Sequence, residues 1–144
     1  MNRLLQRLPE QMRVVVLTAL YGISGGLVAT AFMLSVNGVF QALWSRITAH
    51  GPFFFVLSSF VVVMSTSLLS GLLLARVCPQ AAGSGIPQLK VAYWKELGVV
   101  PFRAIAVKFI GGVLAIGGGS SVGREGPSVF IAGGMASALA DGLG

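Results

Sequence analysis

Charge is what this sequence has least of. Ten basic and four acidic residues among 144 make charged side chains 10% of the chain, against roughly a quarter in ordinary soluble domains. Apolar residues make up 55%, and the mean hydropathy is +0.87. A water-solvated globular domain is therefore not expected. Cys78 and His50 are each the only residue of their kind. That excludes an internal disulfide and a Cys/His zinc site, and leaves both residues as packing or interfacial groups. No metal centre or cofactor is implied. Enzymatic activity is not expected, because Glu125 has no second acid, histidine or metal ligand near it in sequence. The net charge of +6 comes from basic residues scattered among apolar runs, with no basic stripe or aromatic stacking platform, so nucleic acid is not an expected partner. Membrane lipid and an anionic solute fit the charge better.

What is present in quantity is uncharged chain. No Asp, Glu, Lys or Arg occurs between Arg13 and Arg46, and only His50 interrupts the uncharged run from Arg46 to Arg76. Each run exceeds the roughly 20 residues needed to cross a hydrocarbon core of about 30 Å. The first is too long for the apolar region of a cleaved signal, and the polar segment ahead of it is longer than usual for one, so it reads as a retained membrane segment.

Residues 1–13 alternate Leu4, Leu5 and Leu8 with Arg3 and Arg7, the pattern of a short amphipathic segment at the membrane surface. Its arginines place the N-terminus in the cytoplasm by the positive-inside rule, in a multi-pass protein of the cell (inner) membrane. Residues 14–144 are then expected to be membrane helices: Val14 to Trp44, Pro52 to Ala75, a short helix from Pro87 to Leu97, a crossing from Phe102 to Ile116, and a last helix from Gly126 and Pro127 to Leu139. The short helix carries Lys90, Tyr93, Trp94, Lys95 and Glu96, residues suited to an interface, so its C-terminal end should lie shallow and its N-terminal end deep. It would thus be re-entrant. Small residues recur at four-residue spacing at Gly22, Gly26 and Thr30, at Gly111, Ala115 and Gly119, and at Gly134, Ala138 and Gly142, which we read as helix-packing faces.

The chemistry concentrates in two breaks, Gly83-Ser84-Gly85-Ile86-Pro87 and Gly123-Arg124-Glu125-Gly126-Pro127. Proline suits the first turn of a helix, where its missing N–H leaves nothing unpaired. The glycines before it let backbone N–H groups face a bound ion, and those groups together with the positive end of the helix dipole attract an anion. Two roles fit Ser84: a hydroxyl donor to an anion, weak enough to permit release, or a cap for the short helix. Two also fit Glu125, which is either a functional acid at membrane depth or an interfacial ion-pair partner of Arg124. Lys108 is an interior charge that raises the local potential for anions, or a side chain that snorkels to the surface. Nucleotide binding is disfavoured: Gly118 to Gly123 has P-loop glycine spacing, but Arg124-Glu125 replaces the Lys-Ser/Thr, and Gln88 stands where a dinucleotide fingerprint needs its third glycine.

With GSGIP at Gly83 to Pro87, KFIGG at Lys108 to Gly112 and GREGPS at Gly123 to Ser128, the sequence resembles the CLC family of chloride channels and chloride/proton exchangers, most strongly over Ala81 to Gly134. The resemblance implies an all-α integral membrane protein of the CLC-type fold, in which this chain is the first part of an inverted repeat built from re-entrant and broken helices. It implies chloride as the transported ion and a homodimer with one anion pathway per subunit. Ser84 becomes the central anion ligand, and Glu125 the gating, proton-linked glutamate. Backbone groups around Gly85, Ile86, Gly126, Pro127 and Ser128 would complete this half of the anion site, with Gly83, Pro87, Gly123 and Arg124 as helix-start residues. Serine at position 84 resembles chloride-preferring members, whereas proline there marks nitrate preference in some. The second half-repeat, with its GxFxP segment, pathway tyrosine and internal proton-transfer glutamate, has no counterpart in these residues, so the chain is expected to be a truncated piece ending at Gly144. The alternative is a membrane-embedded fragment or accessory subunit that transports nothing.

Overall fold

The computed structural model describes residues 9–48, 51–95 and 98–143. The amphipathic pattern over residues 1–8, and with it His50, Glu96, Leu97 and Gly144, lies outside the described residues. Among the described residues the chain forms five α-helices: α1 (Glu10–Ile47), α2 (Pro52–Val77), α3 (Ile86–Lys95), α4 (Phe102–Gly117) and α5 (Glu125–Leu143). A 3-10 turn, Pro79–Ala81, precedes α3.

Each helix starts where the backbone leaves it no alternative. Pro9 holds an extended conformation, and its carbonyl accepts the Arg13 N–H at 3.0 Å, so α1 begins four residues before the expected Val14. The residues from Glu10 to Arg13 are its first turn, with Glu10 at the positive end of the dipole and Arg46 at the negative end, the stabilising arrangement. Extended Gly51 followed by Pro52 opens α2. At 1.5 Å per residue, α1 is about 57 Å long and α2 about 39 Å, both exceeding a core of about 30 Å. Little of their most apolar stretches is covered within the chain. Their hydroxyls are turned inward along the helix, as when Thr30 donates to the Gly26 carbonyl at 2.9 Å and Ser65 to the Val61 carbonyl at 2.7 Å. That leaves no unpaired polar group toward lipid at these positions.

The other helices are short. Ten residues of α3 make about 15 Å and sixteen of α4 about 24 Å. Glycines with positive φ mark the breaks: Gly83 (+85°) and Gly85 (+92°) before α3, and Gly119 (+95°) after α4. The carbonyls at the end of α4 are taken up by the following loop, with Gly118 N–H on Leu114 and Ser120 N–H on Ala115 at 2.9 and 3.0 Å. That is what tolerable irregular backbone at this depth requires.

α1 packs along α5 and α4, α2 against α4, and α3 against α5. Phe32 and Val36 of α1 meet Val107 and Phe109 of α4 and Ile131 of α5 in the central apolar cluster, with the Phe32 and Phe109 rings edge to face at 5.4 Å. Cys78 is buried there too. The small-residue face expected on α1 is not the packing face. A Cβ at Gly22 or Gly26 would meet nothing within 4 Å, whereas one at Gly25 would come within 3.0 Å of the Ala132 carbonyl oxygen on α5. The helix is phased by Phe32, seven residues beyond Gly25, which turns Gly22, Gly26 and Thr30 outward. Gly111 and Gly134 do carry contacts, against Ser70 and Ile105, while Gly142 meets none. Gly25→Val should therefore overpack the α1–α5 contact and destabilise the chain by about 1–3 kcal/mol, with Gly26→Val near neutral. Thermal unfolding of the two variants in detergent checks the difference.

Candidate anion site

The segment before α3 is held from two sides. From α4, the buried Lys108 ammonium donates to the Ala81 carbonyl at 2.8 Å and also to the Gly83 carbonyl. From α5, the Phe130 side chain lies where a side chain on Gly85 would be, its Cβ 2.6 Å and its ring 3.0 Å from such a Cβ. Ser84 sits between these two anchors. Its carbonyl oxygen would be 2.5 Å from a Cβ on Gly126, so the absence of a side chain there lets the start of α5 lie directly on Ser84. The two glycine-flanked breaks, well separated in sequence, form one contact.

Beside that contact is a cleft of about 640 Å³ whose walls include Ser84, Lys108, Glu125 and Gly126. Glu125 is the first residue of α5 and is exposed. Among the described residues it makes no ion pair with Arg124. It stands at the positive end of the α5 dipole, beside first-turn N–H groups that have no acceptor one helical turn earlier. The Ser84 hydroxyl makes no hydrogen bond among the described residues. Gly85, not Ser84, is the residue whose carbonyl opens α3, by accepting the Leu89 N–H at 3.0 Å. Ser84 is therefore not spent as a cap. Lys108 does not snorkel: it keeps 5% of its surface exposed and bonds inward.

A family model described as Voltage gated chloride channel matches residues 66–144, which contain α3, both breaks and this cleft. The chain belongs to the CLC family. It is an all-α membrane protein of that fold. Among CLC proteins it is similar to the H(+)/Cl(-) exchange transporter ClcA of Klebsiella pneumoniae (strain 342), with 32% identity over 142 residues, and to that of Vibrio cholerae (strain ATCC 39541), with 34% over 144 residues. The ClcA of Salmonella paratyphi B is 31% identical over 142 residues. Each match covers 97% of this chain and 30% of the relative, so the chain spans under a third of the length of these relatives.

Several CLC-type assignments made from sequence change in detail. Ser128 does not offer a free N–H, because it donates to the Arg124 carbonyl at 3.1 Å, and its hydroxyl donates to the same oxygen at 2.7 Å. The reason is that α5 starts at Glu125, one residue before the expected Gly126, so the fourth residue of the helix is already inside the bonding pattern. Pro127 lines the cleft but has no N–H, and so supplies only apolar wall. Gly85 is buried against Phe130 and does not line the cleft. Ile86, Gly83 and Gly123 do line it, whereas Arg124 and Pro87 do not. In α5 the N–H groups with no carbonyl partner one turn earlier are those of Glu125 and Gly126.

Three further hydroxyls were not singled out from the sequence. Ser67 and Ser70 of α2, together with Ser120 of the second break, also line the cleft. Ser70 donates to the Gly111 carbonyl at 2.9 Å, and the Ser67 and Ser120 hydroxyls are 2.8 Å apart. The available signal was the three- and four-residue spacing of Ser67, Ser70 and Gly71, which puts small and polar residues on one stripe of an otherwise apolar helix.

Proposed function

We propose that this chain forms part of the anion pathway of a chloride/proton exchanger of the CLC family. The observation that carries it is one cleft shared by a free serine hydroxyl, the glutamate that begins α5 and the Gly126 backbone, with a buried lysine in its wall. Chloride would be held by the Ser84 hydroxyl and by first-turn N–H groups of α3 and α5, with no fully exposed cation to trap it. Glu125 would gate that place, since its carboxylate is attracted by the same groups. The names of the relatives favour an exchanger over a channel. The relatives' length favours a full-length protein in which the remaining pathway ligands come from residues this chain does not contain.

In the same reading the protein is a homodimer embedded in lipid, binds no nucleic acid and catalyses no covalent chemistry. It lies in the inner membrane with Arg13, Arg76, Lys95 and Arg103 toward the cytoplasm. Tyr93 and Trp94, which are 73% and 80% exposed beside Lys90 and Lys95, suit that interface.

Reconstitution separates this from a non-transporting role. Liposomes containing only the 144-residue chain are expected to release no chloride, because the broken backbone lacks its opposing half. Liposomes containing a full-length protein that carries the segment are expected to release it. Chloride release by the chain alone would overturn the shared-pathway reading, and no release by the full-length protein would favour an accessory subunit.

A further inference from the structure

Lys108 is the one described basic residue that is buried. A cation in a membrane interior is costly, and such residues face a partner or a wet cavity. No carboxylate pairs with Lys108 among the described residues. Its partners are two backbone carbonyls, Ala81 and Gly83, and the Phe130 ring with its centroid 6.0 Å away.

The Gly83 carbonyl has a consequence through covalent geometry. Gly83 C=O and Ser84 N–H belong to one planar trans peptide, so the two bonds point in opposite directions. Turning that carbonyl onto the ammonium turns the Ser84 N–H away from it. Positive φ at Gly83 makes this orientation accessible. On the far side of Ser84, Gly85 is held by Phe130, the ring that also faces the ammonium. One cation thus reaches the residue before Ser84 directly and the residue after it through a shared aromatic neighbour.

We propose that Lys108 is a positioning residue for the anion site: it fixes the Gly83–Ser84 peptide, and thereby sets which anion the site prefers as well as how strongly anions are drawn in. The inference rests on the proposed anion pathway, and it differs from a role as a charge alone. A charge at a distance attracts chloride and nitrate nearly alike and changes their fluxes together. An oriented peptide beside a hydroxyl changes the ratio between them, because a compact ion and a flat, delocalised one use directed donors differently.

Two measurements on a full-length protein carrying the segment, reconstituted in lipid, test this with Lys108→Met, Lys108→Gln and Lys108→Arg. The first is amide hydrogen exchange at residues 83–86, and the second is the chloride-to-nitrate permeability ratio from reversal potentials. Lys108→Met is expected to speed exchange of the segment and lower the ratio, each by about tenfold, the loss of one good hydrogen bond. Lys108→Gln, which keeps a donor without the charge, should retain more of both than Met does, and Lys108→Arg should retain most. Should Met and Gln reduce flux equally, with ratio and exchange rates unchanged, Lys108 is a charge only and the proposal fails. If the unaltered protein carries no anion but Met still loosens the segment, the tether stands and the transport reading fails. Where Met prevents assembly, the Gln-to-Arg comparison decides alone.

Discussion

Replacing Glu125 by Gln in a full-length protein that carries this segment is expected to abolish proton movement and to make chloride flux independent of external pH. The carboxylate begins α5, where unpaired N–H groups and the helix dipole stabilise negative charge. The same groups would stabilise chloride, so the two anions compete for one place. When Glu125 is charged, the side chain would occupy it. Protonation would remove that attraction. In the unaltered protein, chloride flux should therefore rise as external pH falls, and external chloride should assist opening. Glutamine keeps the size of the side chain but carries neither charge nor titratable proton, so it holds the open state at every pH. Simultaneous recording of chloride efflux and proton uptake in liposomes checks this. Persistence of the pH dependence with proton movement intact would move the gate away from Glu125.

The second large effect is expected at Ser84. Ser84→Pro removes the hydroxyl and the N–H of a residue that lines the cleft, while leaving the helix dipoles of α3 and α5 in place. A hydrogen bond to a charged partner contributes about 1.5–3 kcal/mol, so chloride binding should weaken by about tenfold or more. Nitrate spreads its charge over three oxygens and depends less on any one donor. The preference should therefore swing from chloride toward nitrate rather than both fluxes falling together. Reversal potentials in mixed chloride and nitrate solutions give the ratio directly, and an unchanged ratio would remove Ser84 from the set of ligands.

Much of the fold was legible because its determinants are local. Uncharged runs gave α1 and α2, and prolines at helix starts and glycines with positive φ gave the two breaks. What depended on rotation about a helix axis was not legible. Four-residue spacing marked Gly22 and Gly26, yet Gly25 makes the contact, since spacing fixes a stripe without saying which stripe faces a neighbour. The same uncertainty of one residue in the start of α5 turned Ser128 from an expected donor into an ordinary helix residue. The approach of Ser84 to Gly126 lay beyond sequence pattern altogether, because nothing local couples two loops on different helices. Family resemblance supplied the pairing of Ser84 with Glu125 that residue chemistry alone left open.

The segment from Gly83 to Gly85 also says where change can be accepted. Positive φ forbids most side chains at Gly83 and Gly85, the Phe130 ring fills the space beside Gly85, and the Ser84 carbonyl fills the space beside Gly126. Ser84 is exposed between these fixed points, with its hydroxyl unused by the fold. The frame is thus written in backbone and glycine, and one side chain is free to be exchanged without disturbing it. On the proposed pathway, ion preference could then change by single substitutions at Ser84, whereas a side chain at Gly85 or Gly126 would collide with its neighbours.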